Sequence, residues 1–159
     1  IHIDDTGGVT VASIRSKCRR LKAREGLYLI VIDYMQLMQG TGMAQRKNDN
    51  RQQEISDMTR AMKLLARELD VPIILLAQLN RGPETRTDHR PIIADLRESG
   101  SIEQDADMVV LLYREQVYDP TADNTAEAII AKHRHGPIGT VELAWQGEYT
   151  RFMNLAREN

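Results

Sequence analysis

Leu27-Tyr28-Leu29-Ile30-Val31-Ile32-Asp33 is a nearly unbroken apolar run closed by an acid. Such a run is the pattern of a strand buried on both faces, as in a parallel sheet covered by helices. A second run, Val71–Ala77, contains Pro72 and is closed by Gln78. Between the two, Ile55, Met58, Met62, Leu65 and Leu69 recur by threes and fours, the stripe of an amphipathic helix. Asn50 and Gln53 are spaced as a capping pair for that helix. Gln39–Asn50, polar and with two glycines, reads as a mobile loop. Upstream, Thr10 is placed to cap a helix carrying Val11, Ile14, Cys18 and Leu21. Ile1–Asp4 alternates like the end of a strand, and Asp5-Thr6-Gly7-Gly8 reads as a turn.

Downstream, Met108–Tyr113, Ala128–Lys132 and Thr140–Trp145 are strand candidates. Gln146-Gly147-Glu148 turns the last of them into Tyr149–Met153 as a hairpin. Strand, helix and strand followed by a strand-rich end imply an α/β fold: a mostly parallel sheet with antiparallel C-terminal strands. The 159 residues form one domain's worth of chain. At 42% apolar and 28% charged, the composition excludes a disordered or fibrous protein.

The 21 basic and 23 acidic residues nearly cancel, which gives no general attraction to nucleic acid or membrane. The apolar runs are too short to cross a bilayer as helices. A single cysteine, Cys18, excludes an internal disulfide and fits a reducing compartment. The chain begins at Ile1 without a signal-peptide pattern and reads as an internal piece of something longer. Arg15, Lys17, Arg19, Arg20, Lys22 and Arg24 cover the first helix, either as a solvated basic face or as a partner surface.

Functional groups of open parallel sheets collect at the carboxyl ends of the strands, where Asp33 and Gln78 sit. An acid closing an apolar strand can position Mg²⁺ beside a nucleotide; it can equally serve turn chemistry. A glutamine closing the neighbouring strand can contact a phosphate or a water and change partners when the phosphate leaves. Lys132 and Arg134, two apart on a predicted strand, share a face. They are either solvated or aimed at a phosphoryl group. His133 and His135 lack the further ligands that a metal site needs. In Asp95-Leu96-Arg97-Glu98-Ser99-Gly100-Ser101-Ile102-Glu103-Gln104-Asp105-Ala106-Asp107, glycine allows a close backbone approach, Arg97 offers a phosphate-directed fork, and Ser101 can cap a short helix. An ordinary capped loop has the same composition.

Leu29–Met38 (LIVIDYMQLM), Leu76–Pro83 (LAQLNRGP), Asp95–Asp107 (DLRESGSIEQDAD) and Ala131–Val141 (AKHRHGPIGTV) together resemble the DnaB-type replicative DNA helicases of bacteria. The opening IDDTGGVTVASIRSKCRRL is similar to the family as well, so the resemblance covers nearly the whole chain. It implies that residues 1–159 are the C-terminal portion of a RecA-like helicase ATPase domain, incomplete at the N-terminal side. It further implies a homohexameric ring around single-stranded DNA, ATP and Mg²⁺ as cofactors, primase and a helicase loader as partners, and a cytoplasmic protein.

Carried over by position, Asp33 resembles the Walker B acid that orders Mg²⁺. Gln78 resembles the sensor that links γ-phosphate to DNA contact. Arg97, Glu98 and Gly100 resemble the loop that grips the DNA backbone, the latter two through main-chain groups. Lys132 and Arg134 resemble the pair reaching a neighbouring subunit's ATP, with Arg134 as the finger. Two departures stand out. None of the ten glycines precedes a lysine, so the phosphate-cradling P-loop is missing, and the resemblance places it, with the catalytic glutamate, upstream of Ile1. His135 stands where the family more often has Asn.

The chain by itself is therefore expected not to hydrolyse ATP. It is also expected to expose one face of Leu29–Ile32 and to be poorly soluble or self-associating. A recombinase-type or circadian-clock-type ATPase would share the core but not DLRESGSIEQDAD. A non-catalytic binding or assembly module would account for the missing P-loop.

Overall fold

A computed structural model describes residues 1–38 and 49–155, with the side chains of all of these except 49–52 and 97–101. The segment 39–48, expected as a loop, lies outside the described residues. The chain divides into two compact units, Ile1–Gln78 with Glu98–Ala106, and Leu79–Arg97 with Asp107–Asn159.

In the first unit, α1 spans Val11–Glu25 and α2 spans Asp49–Leu69. As expected, the Thr10 side chain accepts the Ser13 N–H at 3.2 Å at the start of α1. Gly26 ends that helix at φ 83°, a left-handed conformation that glycine adopts without steric penalty. Helix α2 ends at Asp70 (φ 47°). There the Val71 N–H donates to Ala66 O (3.0 Å) and the Asp70 N–H to Arg67 O (3.2 Å), the paired bonds of a Schellman cap. Asn50 lies inside the first turn of α2, and Gln53 donates to Asp57 at 3.1 Å. The expected Asn50–Gln53 cap is therefore corrected: α2 already includes Asp49, so Asn50 stands inside the helix, and a side chain four residues on takes Gln53.

The basic face of α1 is largely used within the molecule. Arg15 and Arg19 both pair with Glu68 of α2, Lys17 pairs with Asp4, and Lys22 donates to the carbonyl of Leu69 at the C-terminal end of α2. A cation there meets the negative end of the helix dipole.

Strands β1 (Ile30–Ile32) and β2 (Ile73–Leu75) pair in parallel, Ile30 opposite Ile73 and Ile32 opposite Leu75. Ile30, Met62, Leu65, Leu69 and Val71 form the core, with Val11, Ile14 and Cys18 of α1 packed against it. All five residues of the expected α2 stripe are buried. The strands are covered on one face only. Leu29 (48%), Val31 (55%), Ile74 (52%) and Leu76 (41%) remain exposed on alternate positions. Burial of the first strand on both faces is thus corrected, while the expected exposure of one face is observed. Ile1–Asp4 forms no strand; Ile1 and Ile3 are exposed.

The second unit is built on an antiparallel sheet in chain order, β3 (Met108–Tyr113), β4 (Thr125–His133), β5 (Gly139–Gln146) and β6 (Arg151–Asn154). The hairpin expected at Gln146–Glu148 is present, with Gln146 opposite Arg151. Strand β3 alternates strictly: Val109, Leu111 and Tyr113 point inward, and Met108, Val110 and Leu112 outward. The α/β class is as expected, with the parallel pair and the antiparallel strands forming two separate sheets among the described residues.

Candidate functional site

The carboxyl end of the parallel pair brings two of the expected residues together. The Leu76 N–H donates to Ile32 O at 3.0 Å, the chain bends at Asp33, and the Met35 N–H reaches back to Leu76 O at 2.9 Å. The Asp33–Tyr34 peptide is cis. Met35 is fully buried (0% exposed) and pins the following 3-10 turn, Met35–Leu37. Asp33 itself is exposed at the end of its strand, and Gln78 is exposed beyond the end of β2.

Sequence reasoning missed Gln36. Its amide nitrogen donates to Gln78 O at 3.2 Å, and its amide oxygen accepts the Gln78 N–H at 3.4 Å. The available signal was a lone polar residue between Met35 and Leu37, three positions after Asp33.

Mg²⁺ usually keeps several waters and takes one or two carboxylates together with substrate phosphates. An exposed aspartate at a strand end suits that role. No group of three or more His, Cys, Asp or Glu able to hold a metal occurs among the described residues, His133 and His135 included. The His133 ring instead packs over Gly136, where a Cβ would come within 2.4 Å of it.

Arg97 and Glu98 lie in a 3-10 turn, Ile93–Ser99, which runs directly into α4 (Gly100–Asp105). Gly100 is the first residue of α4 and Ser101 the second, so Ser101 is inside the helix rather than its cap. Within the first unit, α4 is tied to α2 by Thr59, whose hydroxyl donates to Asp105 at 2.8 Å.

Within the second unit, Asp95 is only 3% exposed. It pairs with Arg86 and accepts the Ile92 N–H at 2.8 Å. Burial alone would raise its pKa, but these donors outweigh burial and hold the carboxyl below its ordinary value. Gly82 is forced here: a Cβ would stand 2.5 Å from the Asp95 carboxylate and 2.8 Å from the Asn80 amide oxygen. Arg90 chelates Glu127 and lies 5.2 Å over the Tyr113 ring. Arg86 and Arg90, both in the long polar stretch Arg81–Arg90, are thus structural anchors.

Lys132 lies on β4, half-buried and opposite Val109. Arg134 is not on the strand: β4 ends at His133, because the chain must turn toward β5. The Arg134 N–H still donates to Asp107 O at 2.8 Å, and its guanidinium pairs with the Asp107 carboxylate at 3.1 Å. Both side chains are about half exposed, 40% and 52%. An exposed pair of this kind is worth at most about 1 kcal/mol, so it releases the guanidinium readily. Arg114 stacks on the Trp145 indole at 4.4 Å, a second feature that sequence reasoning missed.

The chain is 57% identical over 159 residues to "Replicative DNA helicase DnaC" of Bacillus subtilis and 56% identical to "Replicative DNA helicase DnaB" of Geobacillus stearothermophilus. Each match covers 99% of this chain but 34% of the relative, so the chain spans about a third of their length. Among solved structures it superposes on the ATPase domain of G40P with a TM-score of 0.91 at 46% identity, over 98% of this chain and 55% of that one. A DnaB-like replicative helicase studied with its primase gives a TM-score of 0.90 at 46% identity, over 98% of this chain and 38% of that one. The family described as DnaB-like helicase C terminal domain matches residues 1–154, and the chain belongs to that family.

Proposed function

We propose that this chain is the C-terminal part of the motor domain of a hexameric replicative DNA helicase, which couples ATP hydrolysis to movement along single-stranded DNA and to duplex unwinding. The observation that carries this reading is the placement of Asp33 and Gln78 at the same carboxyl end of one parallel pair, in a chain of this family. Asp33 is the carboxylate that would hold Mg²⁺ beside ATP, which supplies the phosphoryl chemistry when bound. Gln78 senses the phosphate and passes its state toward DNA.

The DNA backbone is held at Arg97, Glu98 and Gly100. Lys132 and Arg134 serve a neighbouring subunit's nucleotide, Arg134 leaving its weak pair with Asp107 to do so. Primase and a helicase loader are the proposed protein partners, and the protein works in the bacterial cytoplasm at the replication fork. No helix among the described residues is long and apolar enough to cross a membrane.

Arg134→Ala in the complete polypeptide tests the assignment. DNA-stimulated ATP turnover is expected to fall by about 10³-fold or more, with nucleotide affinity nearly unchanged. Normal turnover would sink the finger role. For the chain by itself we propose no turnover, because no glycine-lysine pair is present to cradle phosphates. A titration with fluorescent ATP and Mg²⁺ that shows tight binding would contradict this.

A further inference from the structure

We infer that Gln36 is a positioning residue that couples the Asp33 turn to Gln78 by continuing the parallel ladder with its side chain; the inference rests on the roles proposed above for Asp33 and Gln78. The ladder runs Leu76 N–H to Ile32 O at 3.0 Å, then Met35 N–H to Leu76 O at 2.9 Å. One step further, a parallel partner strand would serve the N–H and C=O of residue 78 from its own backbone. By that point β1 has already turned into the 3-10 turn Met35–Leu37 and has no extended backbone to offer.

The Gln36 side chain fills the place. Its amide oxygen accepts the Gln78 N–H at 3.4 Å, and its NH₂ donates to the Gln78 carbonyl at 3.2 Å. A primary amide presents the same donor and acceptor as a peptide group, so the side chain stands in for a missing residue of strand.

Two features make this a coupling device rather than a surface contact. The base of the clamp is rigid, because Met35 beside it is fully buried. The clamp itself is exposed and made of two neutral bonds, worth together about tenfold in an equilibrium constant, so it yields when Gln78 changes partners. Movement of the Gln78 backbone is therefore felt by the turn that begins at Asp33, and an occupied Asp33 turn biases where Gln78 rests.

The experiment uses the complete polypeptide with Gln36→Leu and Gln36→Glu, measuring ATP turnover with and without oligo-dT and nucleotide affinity separately. Gln36→Leu keeps the side chain's bulk and loses both bonds. Stimulation by oligo-dT is expected to fall about tenfold, while basal turnover and nucleotide affinity stay within about twofold. Gln36→Glu keeps an acceptor for the Gln78 N–H and is expected to retain intermediate stimulation. If basal and stimulated turnover fall together in both variants, or if Gln36→Leu is stimulated as well as the wild type, the coupling role is overturned. A wild type that oligo-dT does not stimulate removes the proposed function, and the inference with it.

Discussion

Asp33 and Asp95 are two aspartates at the ends of apolar segments, and the structure treats them in opposite ways. Asp95 is buried, paired with Arg86, served by the Ile92 N–H, and approached so closely by Gly82 that an added Cβ would have to displace a neighbour. Asp33 is exposed at the mouth of the parallel pair, and the bonds around it belong to its backbone neighbours rather than to its carboxylate. A carboxylate whose lone pairs are already taken stabilises a fold; one left to solvent is available to a cation. The difference separates the segment that holds the second unit in shape from the end of the first unit that is proposed to bind the nucleotide's metal.

The comparison is broken most directly by neutralising each acid in turn. Asp33→Asn in the complete polypeptide is expected to abolish ATP turnover while shifting urea unfolding of the chain by no more than about 0.5 kcal/mol, as for an exposed site. Asp95→Asn is expected to cost about 2 kcal/mol in the same unfolding measurement. It leaves Arg86 without its charge partner, and Arg86 is itself partly solvated, which keeps the loss below that of a fully buried pair.

Acid tests the buried carboxylate a second way. The Asp95 carboxyl is held below its ordinary value, so its contribution is full above about pH 4 and is lost as pH falls through its lowered value. Unfolding free energy should therefore decline on acidification, and this part of the decline should be missing in Asp95→Asn. An equally steep loss in both proteins would show that Asp95 is not the linked group.

Gly82→Ala sharpens the same contrast with a smaller change. The added methyl meets the Asp95 carboxylate and the Asn80 oxygen and must displace one of them, at an expected cost of about 1–2 kcal/mol by urea unfolding. The smallest thermodynamic effect belongs to the uncovered sheet face of the first unit. Val31→Lys is expected to change stability by less than about 0.5 kcal/mol, yet to reduce self-association in sedimentation of the chain. Unchanged association would locate the sticky surface elsewhere, for instance on Met108, Val110 and Leu112 of β3.

Much of this was legible in the chain because periodicity is a local property. The stripe from Ile55 to Leu69, the Thr10 cap, the two apolar strands and the closing hairpin follow from spacing and turn chemistry alone. Asp33 could be placed at its strand end for the same reason, whereas β2 stops at Leu75 and Gln78 lies beyond it. Spacing could not say that Asn50 falls inside its helix, that Arg134 lies beyond its strand, or that Arg15, Arg19 and Lys22 of α1 are spent on Glu68 and the end of α2.

By itself, then, the sequence determined the class of fold, the order of its elements and the family, since short-range patterns and motif strings survive without coordinates. Tertiary structure alone decided which polar residues are anchors and which are left facing solvent. Whether Arg86 meets Asp95, whether Gln36 completes a ladder at Gln78, and whether Val31 faces solvent depend on residues brought together from distant parts of the chain, and such contacts leave no periodic trace.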